Sequence, residues 1–176
     1  GDVYKRQPMA MPFYQEIGFT KLEVAQITNF YGMWMTIIGG LFAGLTLHKY
    51  GLVRNMIAGA IFVPLANIPF IFLNILGKDL NFLIFTITVD NFSQGFISVV
   101  GITFLSNMVS KTYTATQYAL LFGLVVIPPN IISSGSGFVV ESYGFQNFFI
   151  LCALLGLPAI IFSLLVWRKR SIFGFD

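Results

Sequence analysis

Val89-Asp90-Asn91-Phe92-Ser93-Gln94-Gly95 is a polar island inside a long apolar run from about Asn81 to Met108. A carboxylate in hydrocarbon costs between about 2.5 and 17 kcal/mol depending on how it is measured, so a carboxylate placed there needs a partner or a task. At about 100° per residue, Asp90, Gln94, Ser98 and Gly101 share one helical face with Asn91 and Gly95 at its margin. Phe85, Phe92, Phe96 and Val99 lie opposite. A helix with one wet face and one apolar face can line a water-filled passage, and transport is the first function this stretch suggests. The bland alternative is a structural carboxyl bonded to a neighbouring helix.

The surrounding chain supports a bilayer setting. Hydrophobic residues make up 56% of the 176 residues and charged residues only 10%, where a soluble domain has about 25% charged. A span needs about 20 apolar residues. The apolar runs predict five spans, over about 24–47, 52–76, 81–108, 114–140 and 148–167, joined by short loops. The expected fold class is therefore all-α, a polytopic membrane helix bundle. The net charge of +3 is scattered over loops and forms no patch, which excludes a nucleic-acid partner. Cys152, the single cysteine, excludes an internal disulfide and sits in an apolar run that suits plain packing.

Residues 1–7 are polar, in contrast to the apolar chain after them, and read as a non-native remnant outside the fold. Residues 8–176 form the expected bundle. Its first part, Pro8 to Phe19, is too short and proline-rich to span, and reads as the last turn of a helix whose body is missing. Thr20 with Glu23 predicts a capping box at the start of the first full span. Gly32, Thr36, Gly40 and Gly44 recur every four residues along it, a stripe that lets another helix approach closely. Pro64 and Pro69 predict a kink in the second span, with Asn67 either beside a cavity or bonded between helices. Pro128-Pro129-Asn130 and Ser133-Ser134-Gly135-Ser136-Gly137 interrupt the fourth span, either as a broken helix presenting backbone to a solute or as a bend relieved by the serines.

Loop charges predict the orientation. With the C-terminus inside, the inner connections carry Lys49, Arg54, Lys111, Arg168, Lys169 and Arg170. The outer ones carry Lys21 and Lys78 against Glu16, Glu23, Asp79 and Glu141, in agreement with the positive-inside rule. Asp90 then lies roughly 14 Å below the outer surface, near the midplane.

Several motifs carry a family resemblance. Gly44-Leu45-Thr46-Leu47-His48-Lys49-Tyr50-Gly51-Leu52-Val53-Arg54 resembles the cytoplasmic loop motif of the major facilitator superfamily, with His48 where the family usually has Asp. Tyr113 to Leu121, Asp90-Asn91 with Gly95, and Gly137 to Gly144 with Glu141 resemble the AmpG-type muropeptide permeases. The similarity covers nearly everything after Gln7. It implies the C-terminal half of that fold, with five complete transmembrane helices and without most of its first helix. It also implies a secondary carrier of the bacterial inner membrane that imports anhydro-muropeptides with protons, completed by a missing N-terminal half. A facilitator carrier for another solute, such as a sugar, a drug or an acetyl-CoA-like molecule, is the alternative. Pro129-Asn130 stands where the family commonly has Gly-Arg, so a cationic contact to an anionic solute is missing.

On this reading Asp90 faces a central cavity and answers to proton coupling or solute amides, while Asn91, Gln94 and Asn130 supply neutral hydrogen bonds to the solute. Gly44, His48, Lys49, Gly51 and Arg54 belong to gating or helix packing, and Gln117 to gating or helix-end bonding. No catalytic residue, metal ligand set or cofactor motif is expected. His48, the only histidine, has no second ligand or catalytic partner within sequence reach, no Gly-rich phosphate loop follows a strand, and no serine sits in a nucleophile elbow.

Overall fold

The computed structural model describes residues 10–109, 115–123 and 136–168, and all regular structure among them is helical. α1 (Ala10–Glu16) is a short helix closed by a turn in which Gly18 takes φ +100° and the Phe19 amide donates to the Tyr14 carbonyl at 2.9 Å. α2 (Lys21–Ala25) starts with the expected capping box. The Glu23 amide donates to Thr20 Oγ1 at 3.2 Å, and the Thr20 amide donates to Glu23 Oε2 at 2.8 Å. These contacts satisfy amides that a helix start leaves without partners.

The rod then passes through a π-helical stretch, Gln26–Gly32, and continues as α3 (Met33–Tyr50). Nothing in the sequence signalled the wider turn. Gly51, at φ +77°, ends α3 and donates its amide to the Leu47 carbonyl at 3.0 Å. That backbone conformation is open to glycine and strained for other residues.

α4 (Leu52–Leu76) runs unbroken through Pro64 and Pro69. Asn67 Nδ2 folds back and donates to the Val63 carbonyl of its own helix at 2.9 Å. Asp79 caps α5 (Leu80–Met108) by accepting from the Asn81 and Phe82 amides at 2.9 and 3.1 Å. Residues 115–123 form α6. α7 (Ser136–Leu155) is broken at Gly144, which takes φ +76°, and α8 (Leu157–Arg168) follows after Gly156.

Four of these rods are long and apolar enough to cross a membrane: Lys21–Tyr50, Leu52–Leu76, Leu80–Met108 and Gly137–Arg168. The middle of the expected fourth span, 124–135 of 114–140, lies outside the described residues, while its start is helical as α6 and its end falls in α7. The expected loop between 140 and 148 is instead helical on both sides of Gly144, because a single positive-φ glycine is enough to redirect the chain.

α3 packs on α5, α5 on α4, and α4 on α7 and α8. The end of the bundle that carries the α1–α2 and α4–α5 turns is filled by aromatics from separate segments. Phe13 of α1 meets Phe149 of α7 at 4.8 Å between ring centroids, and Phe70 of α4 stacks on Phe149 at 4.8 Å. Farther along, Phe96 of α5 packs edge-on against Phe62 of α4 at 5.0 Å.

Among the described residues α3 and α5 approach each other backbone to backbone. A Cβ on Gly39 would overlap the Phe92 carbonyl oxygen, and a Cβ on Gly95 would overlap the Thr36 carbonyl oxygen. A Cβ on Gly40 would sit 3.3 Å from Val99 Cγ2. Of the expected stripe, Gly32, Thr36 and Gly40 face α5, together with Gly39, which the four-residue spacing did not include. Gly44 takes no part, since a Cβ there would meet nothing within 4 Å. Without a hydrophobic drive inside lipid, such close van der Waals packing is what joins membrane helices.

Candidate functional site

Midway along α5 the polar island divides between two sides of the helix. Asp90 is half-buried, and its Oδ2 accepts from Gln94 Nε2 one turn later at 3.1 Å. Gln94 and Ser98 are exposed, so the Asp90, Gln94, Ser98 edge is the open side of α5. Phe92 and Phe96 point the other way, toward Phe42 of α3 and Phe62 of α4. Polar Gln94 and Ser98 thus lie on the open side of α5, and Phe92 and Phe96 on its packed side.

Asn91 lies on the packed side. Its Nδ2 donates to the Ile87 carbonyl at 2.9 Å, and its Oδ1 accepts from Thr36 Oγ1 of α3 at 3.2 Å. The same hydroxyl also donates to the Gly32 carbonyl at 3.1 Å, and the Asn91 amide occupies the space where a side chain on Gly32 would stand. Three residues before it, Thr88 Oγ1 and the Tyr31 hydroxyl are 3.0 Å apart, a second polar bridge from the π-helical stretch to α5. Of the four expected solute residues, Asp90 and Gln94 therefore stand together, Asn91 is engaged with α3, and Asn130 lies outside the described residues.

Tyr14 of α1 is buried against Phe13 and Phe70, a docking that sequence reasoning missed. The seven residues of α1 gave no signal of where that short helix would dock. Thr36 did stand in the small-residue stripe, but its role as a hydrogen-bond donor to α5 depends on the azimuth of both helices.

The loop motif sits at the opposite end of α3. His48, Lys49 and Arg54 are exposed, and Lys49 Nζ lies 5.2 Å from the Tyr50 ring centroid. Asn55, only 3% exposed, donates from Nδ2 to the Gly51 carbonyl at 2.7 Å and so clamps the corner between α3 and α4. Gln117 is half-buried near the start of α6. At the other end of the bundle, Lys78 Nζ pairs with Glu23 Oε2 at 3.2 Å and ties the α4–α5 turn to the start of α2. Among the described residues no three His, Cys, Asp or Glu side chains converge in a way that could hold a metal ion.

An apolar cavity of about 190 Å³ lies between α4, α5 and α8, lined among others by Gly59, Val63, Gly101 and Ser163. It lies apart from the Asp90–Gln94 pair. Chemically, that pair presents a carboxylate together with an amide that still has acceptor and donor capacity, enough for hydrogen bonds to hydroxyl or amide groups. It contains no nucleophile and base in the relation that covalent catalysis needs.

A family model described as Major Facilitator Superfamily matches residues 7–172. Three relatives illustrate the similarity. A Rickettsia felis protein named "Putative transporter AmpG 4" is 32% identical over 164 residues, which is 93% of this chain and 40% of the relative. A Rickettsia prowazekii protein named "Putative transporter AmpG 1" is 31% identical over 161 residues, 92% of this chain and 36% of the relative. "Putative transporter AmpG 3" of the same organism is 28% identical over 165 residues, 93% of this chain and 39% of the relative. The chain thus spans about 40% of the length of these curated relatives.

Proposed function

Because the chain belongs to the Major Facilitator Superfamily, we propose that it forms part of a secondary carrier that brings muropeptide-like solutes into the cytoplasm together with protons. The observation that carries this reading is the Asp90–Gln94 pair on the open side of a 29-residue apolar helix. Relatives of this chain are named as transporters, which supports carrier activity, and the AmpG name supports the solute class. A carrier of this kind works by rocking two bundles around a shared site. The remainder of the length seen in the relatives would supply the second bundle. The bacterial source of the relatives favours the bacterial inner membrane as its location, and the loop charges favour a cytoplasmic C-terminus.

In this scheme Asp90 is the proton-sensitive group, Gln94 orients it and bonds the solute, and Asn130 adds a neutral hydrogen bond from the interrupted span. Asn91 holds α5 in register with α3, so that Asp90 faces away from the helix contact. Gly51 and Asn55 fix the α3–α4 corner that carries His48, Lys49 and Arg54, where the two bundles would meet on the cytoplasmic side.

Uptake of radiolabelled anhydro-muropeptide by a full-length carrier containing this chain, in cells lacking their own permease, tests the reading. Accumulation that collapses with the proton gradient is the expected result. Absence of uptake, with the carrier present in the membrane, overturns the solute assignment. Pro129-Asn130 in place of a basic residue favours a second reading, a carrier for a neutral solute such as a sugar. It predicts that unlabelled sugar, and not anhydro-muropeptide, competes for transport.

A further inference from the structure

Between Thr88 and Ser98, one side of α5 carries no apolar side chain. At about 100° per residue, with Thr88 taken as the origin, Asp90, Gln94, Ser98 and Asn91 stand at about 200°, 240°, 280° and 300°, an arc that takes in only Gly95 besides. The arc extends over roughly 15 Å of helix length. One edge of it is Asp90, bonded to Gln94 at 3.1 Å. The other edge is Thr88, where a side chain from the next rod reaches in: the Tyr31 hydroxyl of the π-helical stretch lies 3.0 Å from Thr88 Oγ1. Gln94 and Ser98, between the two edges, are exposed.

Hydrogen-bond directions at the Thr88 edge are fixed. A threonine hydroxyl has one proton, and Thr88 gives its own to the Ile84 carbonyl at 2.7 Å. Tyr31 is therefore the donor to Thr88, and its oxygen keeps lone pairs that no hydrogen bond among the described residues uses. The Tyr31 ring packs against the aromatic cluster at the end of the bundle, yet the residue stays partly exposed. The phenol is held in place without being sealed off.

We infer that Tyr31 is the second polar wall of the solute site, its oxygen accepting a hydrogen bond from an O–H or N–H of the solute while Asp90 and Gln94 hold the solute from the opposite edge of the arc. This deepens the function proposed above and rests on it. With a carboxylate at one edge and a phenol oxygen that can only accept at the other, the arc favours a portion of solute rich in donors, such as sugar hydroxyls or an amide N–H, over one that offers only carbonyl oxygens. A phenol fixed by its ring packing and by its bond to Thr88 loses little freedom when it binds, which suits it to selecting a solute.

The test uses the full-length carrier with radiolabelled anhydro-muropeptide as the probe, reading KM, maximal rate, membrane level and melting temperature. Tyr31→Phe keeps the ring and removes the oxygen, and should raise KM about fivefold at unchanged maximal rate and membrane level. Thr88→Val removes the same bond between the rods but leaves the phenol oxygen. It should lower the melting temperature as much as Tyr31→Phe does, while changing KM by less than about twofold. A wild-type KM in Tyr31→Phe overturns the assignment, and so does an equal rise of KM in both variants, which would make Tyr31 a strut between the rods. In either case the wild-type carrier still takes up the probe, and the function proposed above stands. A wild-type carrier that ignores the probe overturns that function and this wall of its site together.

Discussion

At the scale of single residues, the division between Asp90 and Asn91 is the most instructive feature. The two are adjacent in sequence and about 100° apart around the helix, so one meets open space while the other meets Thr36. Asp90→Asn preserves the shape and removes the charge. It should cut uptake by at least about tenfold, on the order of a lost charge-assisted bond, with the carrier still folded in the membrane, measured as initial rate per carrier. Asn91→Ala should behave in the opposite way. It leaves Thr36 with only its Gly32 bond and should lower stability by roughly 0.6–2 kcal/mol, the range for interhelical bonds in membranes, with KM unchanged. A thermal-shift measurement on the detergent-solubilised carrier separates these outcomes. A raised KM for Asn91→Ala would return that residue to the solute site.

At the scale of elements, the α3–α5 crossing is the joint on which the site depends, because it sets the direction in which Asp90 faces. Gly39 and Gly95 lie against backbone, which unlike a flexible side-chain tip cannot yield. Gly39→Ala or Gly95→Ala should push the two helices apart and cost about 1–3 kcal/mol, as overpacking does elsewhere. Gly44→Ala, one turn along the same stripe, meets nothing and should be neutral or slightly stabilising, since alanine favours a helix over glycine by roughly 0.5–1 kcal/mol. Melting temperatures of the three variants check the order. A destabilised Gly44→Ala beside a normal Gly39→Ala would show that a different face of α3 makes the joint.

The first three full rods were legible in the sequence, from runs of apolar residues and from local caps such as Thr20 with Glu23, whereas the division of the last stretch into α7 (Ser136–Leu155) and α8 (Leu157–Arg168) was not. The π-helical stretch at Gln26–Gly32 was not, because it has no composition of its own. It lies where Tyr31 and Gly32 must both meet α5, through Thr88 and Asn91. The extra residue per turn is set by that packing.

At the scale of the whole molecule, the outside of the described bundle is as apolar as its inside. Phe30, Leu41 and Leu45 of the Lys21–Tyr50 rod are 66–72% exposed, a surface that water would disfavour and lipid accepts. The orientation follows from loop charge and is open to a direct check. With the C-terminus in the cytoplasm, a cysteine replacing His48 should react with a membrane-impermeant maleimide only from the cytoplasmic side, and one replacing Lys78 only from the periplasmic side. Labelling of both from one side would break the predicted topology. The Lys78–Glu23 pair belongs to this scale too, since it joins two turns at one face of the bundle.

The sequence by itself determined that this chain is a helical membrane bundle, where most of its rods begin and end, and that a carboxylate stands near the middle of one of them. Those properties follow from hydropathy, helical period and caps, all of them local along the chain. The tertiary structure alone decided that Asn91 turns to Thr36, that Gly39 and not Gly44 bears the close approach, and that Tyr14 is buried against Phe13 and Phe70. Each of these depends on the rotation of one helix about its axis relative to another. Small shifts in rotation reassign a face without changing any local pattern, so only the packed bundle selects among them.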